Sequence, residues 1–223
     1  MVTARHGGDH LRMAEKFIEA KIPAFIDKPF TVTPDDAVKL RELARKNGVP
    51  ICGGSCCGFV EDAEIAAEIW KQNGAKKDGH RPSGVIHSPV SMVNDYGNFF
   101  FYSQHLVQIM CEIFGYYPEA VSLKSRGETA DGYVKYADFH VDVRYTTDYT
   151  YKVEIAASDG ATFERVIDIN KDGYSREVDT FCDMVRTGKM HRDYDALSAP
   201  VFILNAMQKS MDADGAEVKC VFE

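Results

Sequence analysis

No stretch of this sequence approaches the roughly 18 consecutive apolar residues that cross a bilayer. The opening residues, Met1-Val2-Thr3-Ala4-Arg5-His6, lack the apolar core of a secretory signal. A basic surface is missing too. The chain carries 34 acidic against 26 basic residues, a net charge of −8 with no run of like charge, which argues against a nucleic-acid or anionic-membrane partner. Its six cysteines make no disulfide framework, because Cys52, Cys56 and Cys57 crowd one turn while Cys111, Cys182 and Cys220 sit in apolar-patterned segments. The crowded three have the spacing C-x3-C-C without a paired histidine beside them, so they read as small packing residues, with a metal or redox site as the alternative. Internal repeats and low-complexity segments are absent. What these exclusions leave, at 45% hydrophobic and 27% charged over 223 residues, is the expectation of a soluble, cytoplasmic protein long enough to bury a full core.

The first 54 residues alternate. Met1-Ala4 reads as the end of a strand, and a helix follows over about Asp9–Ala20 with Leu11, Ala14, Phe17 and Ile18 on one face. Ala24-Phe25-Ile26 is a short buried strand. A second helix opens at Thr33-Pro34-Asp35-Asp36 with threonine as N-cap, proline at the first helical position and acids in the first turn. Asn47-Gly48 stops it, and Val49 to Gly54 is a third strand. Strand–helix–strand–helix–strand is the pattern of a parallel sheet with crossover helices. It opens in mid-domain, and three strands are few for a sheet that needs cover on both faces.

Beyond Gly58 the texture changes. A helix is expected over Glu61–Asn73, a polar basic loop over 74–83, an extended segment from Gly84 to Val93, and a turn over Asn94–Asn98. An aromatic run, Phe99-Phe100-Phe101-Tyr102, then leads into a helix carrying Gln104-His105 to Phe114. Strands follow over Ala120–Ser125, Tyr133–Tyr145, Tyr149–Ala157 and Thr162–Asn170, with a hairpin turn at Ser158-Asp159-Gly160. Helices over Tyr174–Thr187 and Ala196–Met211 and a strand over Val218–Val221 close the chain. The expected fold is α/β: the remnant of a Rossmann-type parallel sheet over residues 1–58, then an α+β domain with a large, mostly antiparallel sheet over 59–223.

The candidate chemistry centres on Ile26-Asp27-Lys28-Pro29-Phe30. An apolar strand stops there on a charged pair, and Pro29 biases Lys28 towards an extended backbone, at the carboxyl end of a strand where open α/β sheets bind ligands. A plain surface turn is the alternative.

The truncated parallel sheet ending on Asp-Lys-Pro, followed by a histidine-bearing helix and an antiparallel sheet, resembles the glucose–fructose oxidoreductase / inositol dehydrogenase (Gfo/Idh/MocA) family. The anchors are Val2-Thr3-Ala4-Arg5-His6 with His10, Asp27-Lys28-Pro29, the Thr33–Asn47 helix, and Gln104-His105 to Phe114-Gly115. The resemblance implies hydride transfer between NAD or NADP and a sugar, cyclitol or related hydroxyl compound. It implies Lys28 and His105 as catalytic residues, and Thr3, His6, His10, Asp27 and Lys28 as cofactor contacts. An alcohol losing hydride must also lose a proton, so the site needs an acid–base and a cation for the developing alkoxide. Lys28 suits either role, and His105, with a reference pKa of about 6.5, suits proton exchange near neutrality. A buried core histidine is the other reading of His105.

Three departures accompany the resemblance. The family's usual Glu-Lys-Pro is Asp27-Lys28-Pro29 here. The aspartate that commonly precedes the histidine by one turn is Phe101. A G-x-G-x-x-G turn for the pyrophosphate is missing, since neither Gly7-Gly8 nor Gly53-Gly54 has that spacing. These features predict a truncated dehydrogenase, weak or inactive in isolation. The alternative is a non-catalytic assembly module that pairs through the wetter face of the antiparallel sheet, with His140, Asp142, Arg144, Tyr145, Tyr149 and Tyr151. The family resemblance likewise implies a homo-oligomer formed through that sheet.

Overall fold

The computed structural model describes residues 1–75 and 80–223, so the basic loop expected over 74–83 falls partly outside the described residues. Helix α1 (His10–Glu19), strand β1 (Ala24–Asp27), helix α2 (Pro34–Asn47) and strand β2 (Ile51–Gly54) build the first layer. β1 and β2 pair in parallel with Asp27 opposite Gly54, and Val2 adds a parallel bridge to Ile26 on the other side of β1. The caps of α2 follow its sequence. Thr33 Oγ1 accepts the Asp36 N–H at 3.2 Å, Pro34 opens the first turn, and Gly48 closes the helix in the left-handed region. Gly53 has a different reason to be glycine: at φ +138° a Cβ there would stand 1.8 Å from the Ile26 carbonyl oxygen.

Helix α3 (Glu61–Asn73) leads to the second layer, made of β3 (Ser83–Pro89), α4 (Phe99–Phe114), β4 (Ala120–Arg126), β5 (Thr129–Lys135), β6 (His140–Thr146), β7 (Lys152–Ala156), β8 (Thr162–Val166), α5 (Gly173–Thr187), α6 (Tyr194–Asp212) and β9 (Val218–Lys219). The seven-stranded sheet runs β8-β7-β3-β6-β5-β4-β9. All its pairs are antiparallel except β3 with β6. One face of it, with Ile86, Val121, Leu123, Val134, Val141, Val143, Val153 and Ile155, joins α3, α4 and α6 in a single apolar core. α6 also reaches the first layer, where Leu197, Val201 and Phe202 pack with Ile18, Ile26, Leu40 and Ile51.

Three expectations are corrected. The segment Tyr133–Tyr145 is two strands, β5 and β6. Between them a tight turn is closed by the Tyr136 N–H on the Phe139 carbonyl at 2.9 Å, and the two rings stack at 4.6 Å. No glycine, proline or asparagine marks that turn, so the alternation looked continuous. The aromatic run does not precede the helix but is its first turn, because burial of Phe99 against Tyr145 outweighs the strand preference of aromatic residues. Tyr145 and Tyr151 are core residues rather than part of the wet face, and of the three tyrosines only Tyr149 is exposed.

Candidate active site

The carboxyl ends of Val2, β1 and β2 turn within reach of one another, and α4 lies across them. Asp27 Oδ1 accepts the Lys28 N–H at 2.8 Å, which fixes the turn, and the Lys28–Pro29 peptide is cis. The Lys28 ammonium donates to the Phe101 carbonyl at 3.3 Å. It also stands 3.9 Å from the centre of the Phe101 ring and 5.5 Å from that of Tyr102. The residue that replaces the expected aspartate is therefore the seat of the lysine: an aromatic face takes the cation where a carboxylate would have paired with it. Burial lowers the Lys28 pKa, and the negative charge of Asp27 offsets only part of that. Asp27 shifts the opposite way, raised by its own burial.

His105 projects from α4 into the same region, buried, with its ring edge-on to Tyr102 at 5.4 Å and Tyr151 at 6.0 Å. Its Nδ1 lies 2.7 Å from Ser55 Oγ and 3.2 Å from Cys57 Sγ. Ser55 is held in turn, since its Oγ accepts the Cys57 N–H at 3.1 Å. With Nδ1 occupied, Nε2 is the nitrogen left for a ligand. Burial and the Lys28 charge bring the His105 pKa down to about 3, so the ring is neutral throughout the physiological range.

The loop that carries Ser55 and Cys57 is clamped from behind by Arg192. This buried guanidinium donates to the carbonyls of Gly53 at 3.3 Å and Gly58 at 3.2 Å, to Glu112 at 2.6 Å and to the Tyr116 hydroxyl at 2.8 Å. Glu112 and Tyr116 also bond Gln108 on α4, so strand end, loop and helix form one polar unit with satisfied charges.

The other expected contacts differ in exposure. Thr3 and His6 are exposed at the end of the Val2 segment, with His6 Nδ1 accepting the Gly8 N–H at 3.1 Å. His10 is buried between the carbonyl oxygens of Ala4 at 2.8 Å and Phe30 at 3.3 Å, and so fastens the first turn to the Asp27–Phe30 turn from below. All six cysteines are free thiols, and Cys57 stands against His105 rather than serving only as packing. Ser55 was within reach of sequence reasoning, because it follows Gly53-Gly54 at a strand's carboxyl end. Arg192 and Tyr151 come from far along the chain with no local signal.

Residues 1–54 match the Gfo/Idh/MocA model, an oxidoreductase family with an NAD-binding Rossmann fold. No curated protein sequence matches the chain. Its fold is that of solved dehydrogenases. GenD2 from gentamicin A biosynthesis, solved with NAD, aligns at 16% identity and a TM-score of 0.77, over 98% of this chain and 77% of that one. A probable dehydrogenase from Thermotoga maritima aligns at 17% and 0.76, over 96% and 78%. A myo-inositol dehydrogenase from Corynebacterium glutamicum aligns at 13% and 0.75, over 98% and 78%. The α/β architecture with a small parallel and a large, mostly antiparallel sheet is thus shared with these solved dehydrogenases.

Proposed function

We propose that this chain, similar to the Gfo/Idh/MocA oxidoreductases in its first 54 residues and in its whole fold, acts in hydride transfer between NAD or NADP and a secondary hydroxyl of a sugar, cyclitol or related polyol. The observation that carries this reading is Lys28: a half-buried cation at a strand's carboxyl end, with a lowered pKa and an aromatic seat, beside a neutral histidine.

The residues fit the nicotinamide end of a dinucleotide, which lies in such sheets outside the carboxyl ends of the strands. Thr3, His6 and Asp27 would border it, and buried polar atoms without partners, Gln104 Oε1 and the Tyr151 hydroxyl, occur on the elements around that crevice. They do not fit the pyrophosphate. Gly7, at the start of the turn into α1, is glycine because a Cβ would meet Pro29 Cγ at 2.5 Å, which is packing against the neighbouring turn. When bound, the dinucleotide supplies the hydride acceptor or donor.

Lys28 in its uncharged form takes the substrate hydroxyl proton, and in its charged form stabilises alkoxide. His105 orients the same oxygen through Nε2, because Ser55 and Cys57 hold its other nitrogen. The rim pair of half-buried Tyr102 and exposed Tyr149, hydroxyls 2.7 Å apart, borders the entrance. The test is NAD(P)H formation with myo-inositol, D-glucose and D-sorbitol. Oxidation is expected to gain with pH through a limb below the ordinary lysine value of about 10.4, and Lys28→Met to lose about 10²–10⁴-fold. Equal turnover by Lys28→Met removes the assignment.

A second role is supported by the uncovered face of the large sheet. Lys152, Glu154 and Glu164 form an ion-pair row there beside His87, with Arg144 and Asp142 on the adjacent strand. This face is proposed to pair two copies of the chain, and sedimentation as a strict monomer at high concentration would rule that out. Among the described residues no helix is long and apolar enough to cross a membrane.

A further inference from the structure

The carboxyl group of Glu177 has no part in the chemistry above. It lies on α5, which packs against β2 and the loop after it. Glu177 is 7% exposed, and its Oε1 has no hydrogen-bond partner among the described residues. The groups that face it are Cys52 on β2, Cys56 on the loop, Asp27 at the end of β1, Tyr174 one turn earlier on α5, and Arg192. Arg192 is the only cation among them, and its donors are already taken by Glu112, Tyr116, Gly53 and Gly58. An unpaired buried carboxyl is costly to keep. Here burial, reinforced by the neighbouring Cys56 and Asp27, pushes it up to about 9, so at neutral pH it is a carboxylic acid with one donor and acceptor capacity. A second unpartnered group, the buried Tyr151 hydroxyl, comes from the segment entering β7, against His105, and Cys56 and Cys57 are among its neighbours.

We propose that Glu177 is a specificity-determining residue that binds a hydroxyl group of the substrate, with the Tyr151 hydroxyl as a second contact to the same molecule. The inference rests on the reading of a polyol bound at Lys28. A hydroxyl both donates and accepts, and so does each of these groups, whereas a site built to pair with a charged substrate group would hold a free cation here. Two unpaired polar side chains that share Cys56 as a neighbour suit a site that discriminates by hydrogen bonding, because a ligand lacking the matching hydroxyl leaves them unpaired.

The experiment is saturation-transfer NMR on the full chain with myo-inositol, D-glucose and D-sorbitol, with and without NADH, for wild type, Glu177→Gln and Glu177→Leu. Wild type and Glu177→Gln are expected to bind one of the three within a few-fold of each other. Glu177→Leu is expected to lose at least about tenfold in affinity and to melt no lower than wild type, since an unpaired buried polar group has been replaced by an apolar one. Undiminished binding by Glu177→Leu overturns the proposal, as does absence of binding to wild type with all three compounds. If Glu177→Leu does not fold, the infrared band of the protonated carboxyl, identified by its loss in Glu177→Gln, decides. It must shift when the bound polyol is added, and a stationary band overturns the assignment. Polyol binding without nicotinamide-dependent turnover upholds Glu177 and counts against hydride transfer instead.

Discussion

Substituting His105→Asn tests the electrostatics of the site through folding stability, without reference to any substrate. The buried ring has a pKa of about 3 in the folded chain and about 6.5 when unfolded. The unfolded state therefore binds more protons, and the stabilising effect of a neutral His105 is present above pH 6.5 and lost as pH falls through 6.5 towards 3. Between pH 7 and pH 5 the loss is about 2 kcal/mol. This figure barely depends on the folded value, because any folded pKa well below 5 leaves the ring neutral over the interval. Wild-type stability alone will not reveal it, since Glu177 works in the other direction. With a folded pKa of about 9 and about 4.3 unfolded, Glu177 gives stability that is full below pH 4.3 and lost as pH rises towards 9, so acidification from 7 to 5 returns about 2–3 kcal/mol. The variant must be subtracted from the wild type at each pH. In urea titrations His105→Asn, which keeps a polar atom near Ser55 Oγ, should be destabilised at pH 7 by about 2 kcal/mol more than at pH 5. Glu177→Gln should show the reverse sign. A destabilisation by His105→Asn that is the same at both pH values refutes the claim that burial holds the ring neutral.

Phe101→Asp should return a carboxylate to the Lys28 ammonium in place of the ring 3.9 Å away, raise the lysine pKa by about one unit and move the alkaline limb of oxidation to higher pH by the same amount. Gly53→Ala should prevent folding or cost more than about 4 kcal/mol in urea titrations, because its Cβ would sit 1.8 Å from the Ile26 oxygen. Gly48→Ala, with positive φ but nothing within 4 Å, should cost only about 1–2 kcal/mol. Arg192→Met leaves the half-buried Glu112 without its cation and releases the Gly53 and Gly58 carbonyls, and should cost about 3 kcal/mol by the same titration.

The parallel layer was legible because its signals are local. Thr33, Pro34, Asp36 and Gly48 each occupy the position that helix capping assigns them, and Ala24–Asp27 ends on charge where the sheet ends. The β5–β6 turn was hidden because Tyr136-Ala137-Asp138-Phe139 carries only a single Asp as a turn signal, and stacking of its two aromatic rings reinforces the turn. The site was half legible for the same reason. Lys28 and His105 could be named because each stands at a recognisable boundary or motif, but the property that matters is set by partners distant in sequence. Phe101, 73 residues from Lys28, reads as a lost carboxylate until its ring is found under the ammonium, and Ser55, 50 residues from His105, gives no hint that it holds the imidazole. For His105 burial moves the ring away from its reference pKa, and for Lys28 it favours the proton carrier of the two roles open to it. The histidine chosen for titrating near neutrality is locked neutral, and the lysine, whose ordinary value lies far from neutrality, is moved towards it. The division of labour proposed for them, proton carrier and orienting group, rests on their burial and not on the identity of either residue.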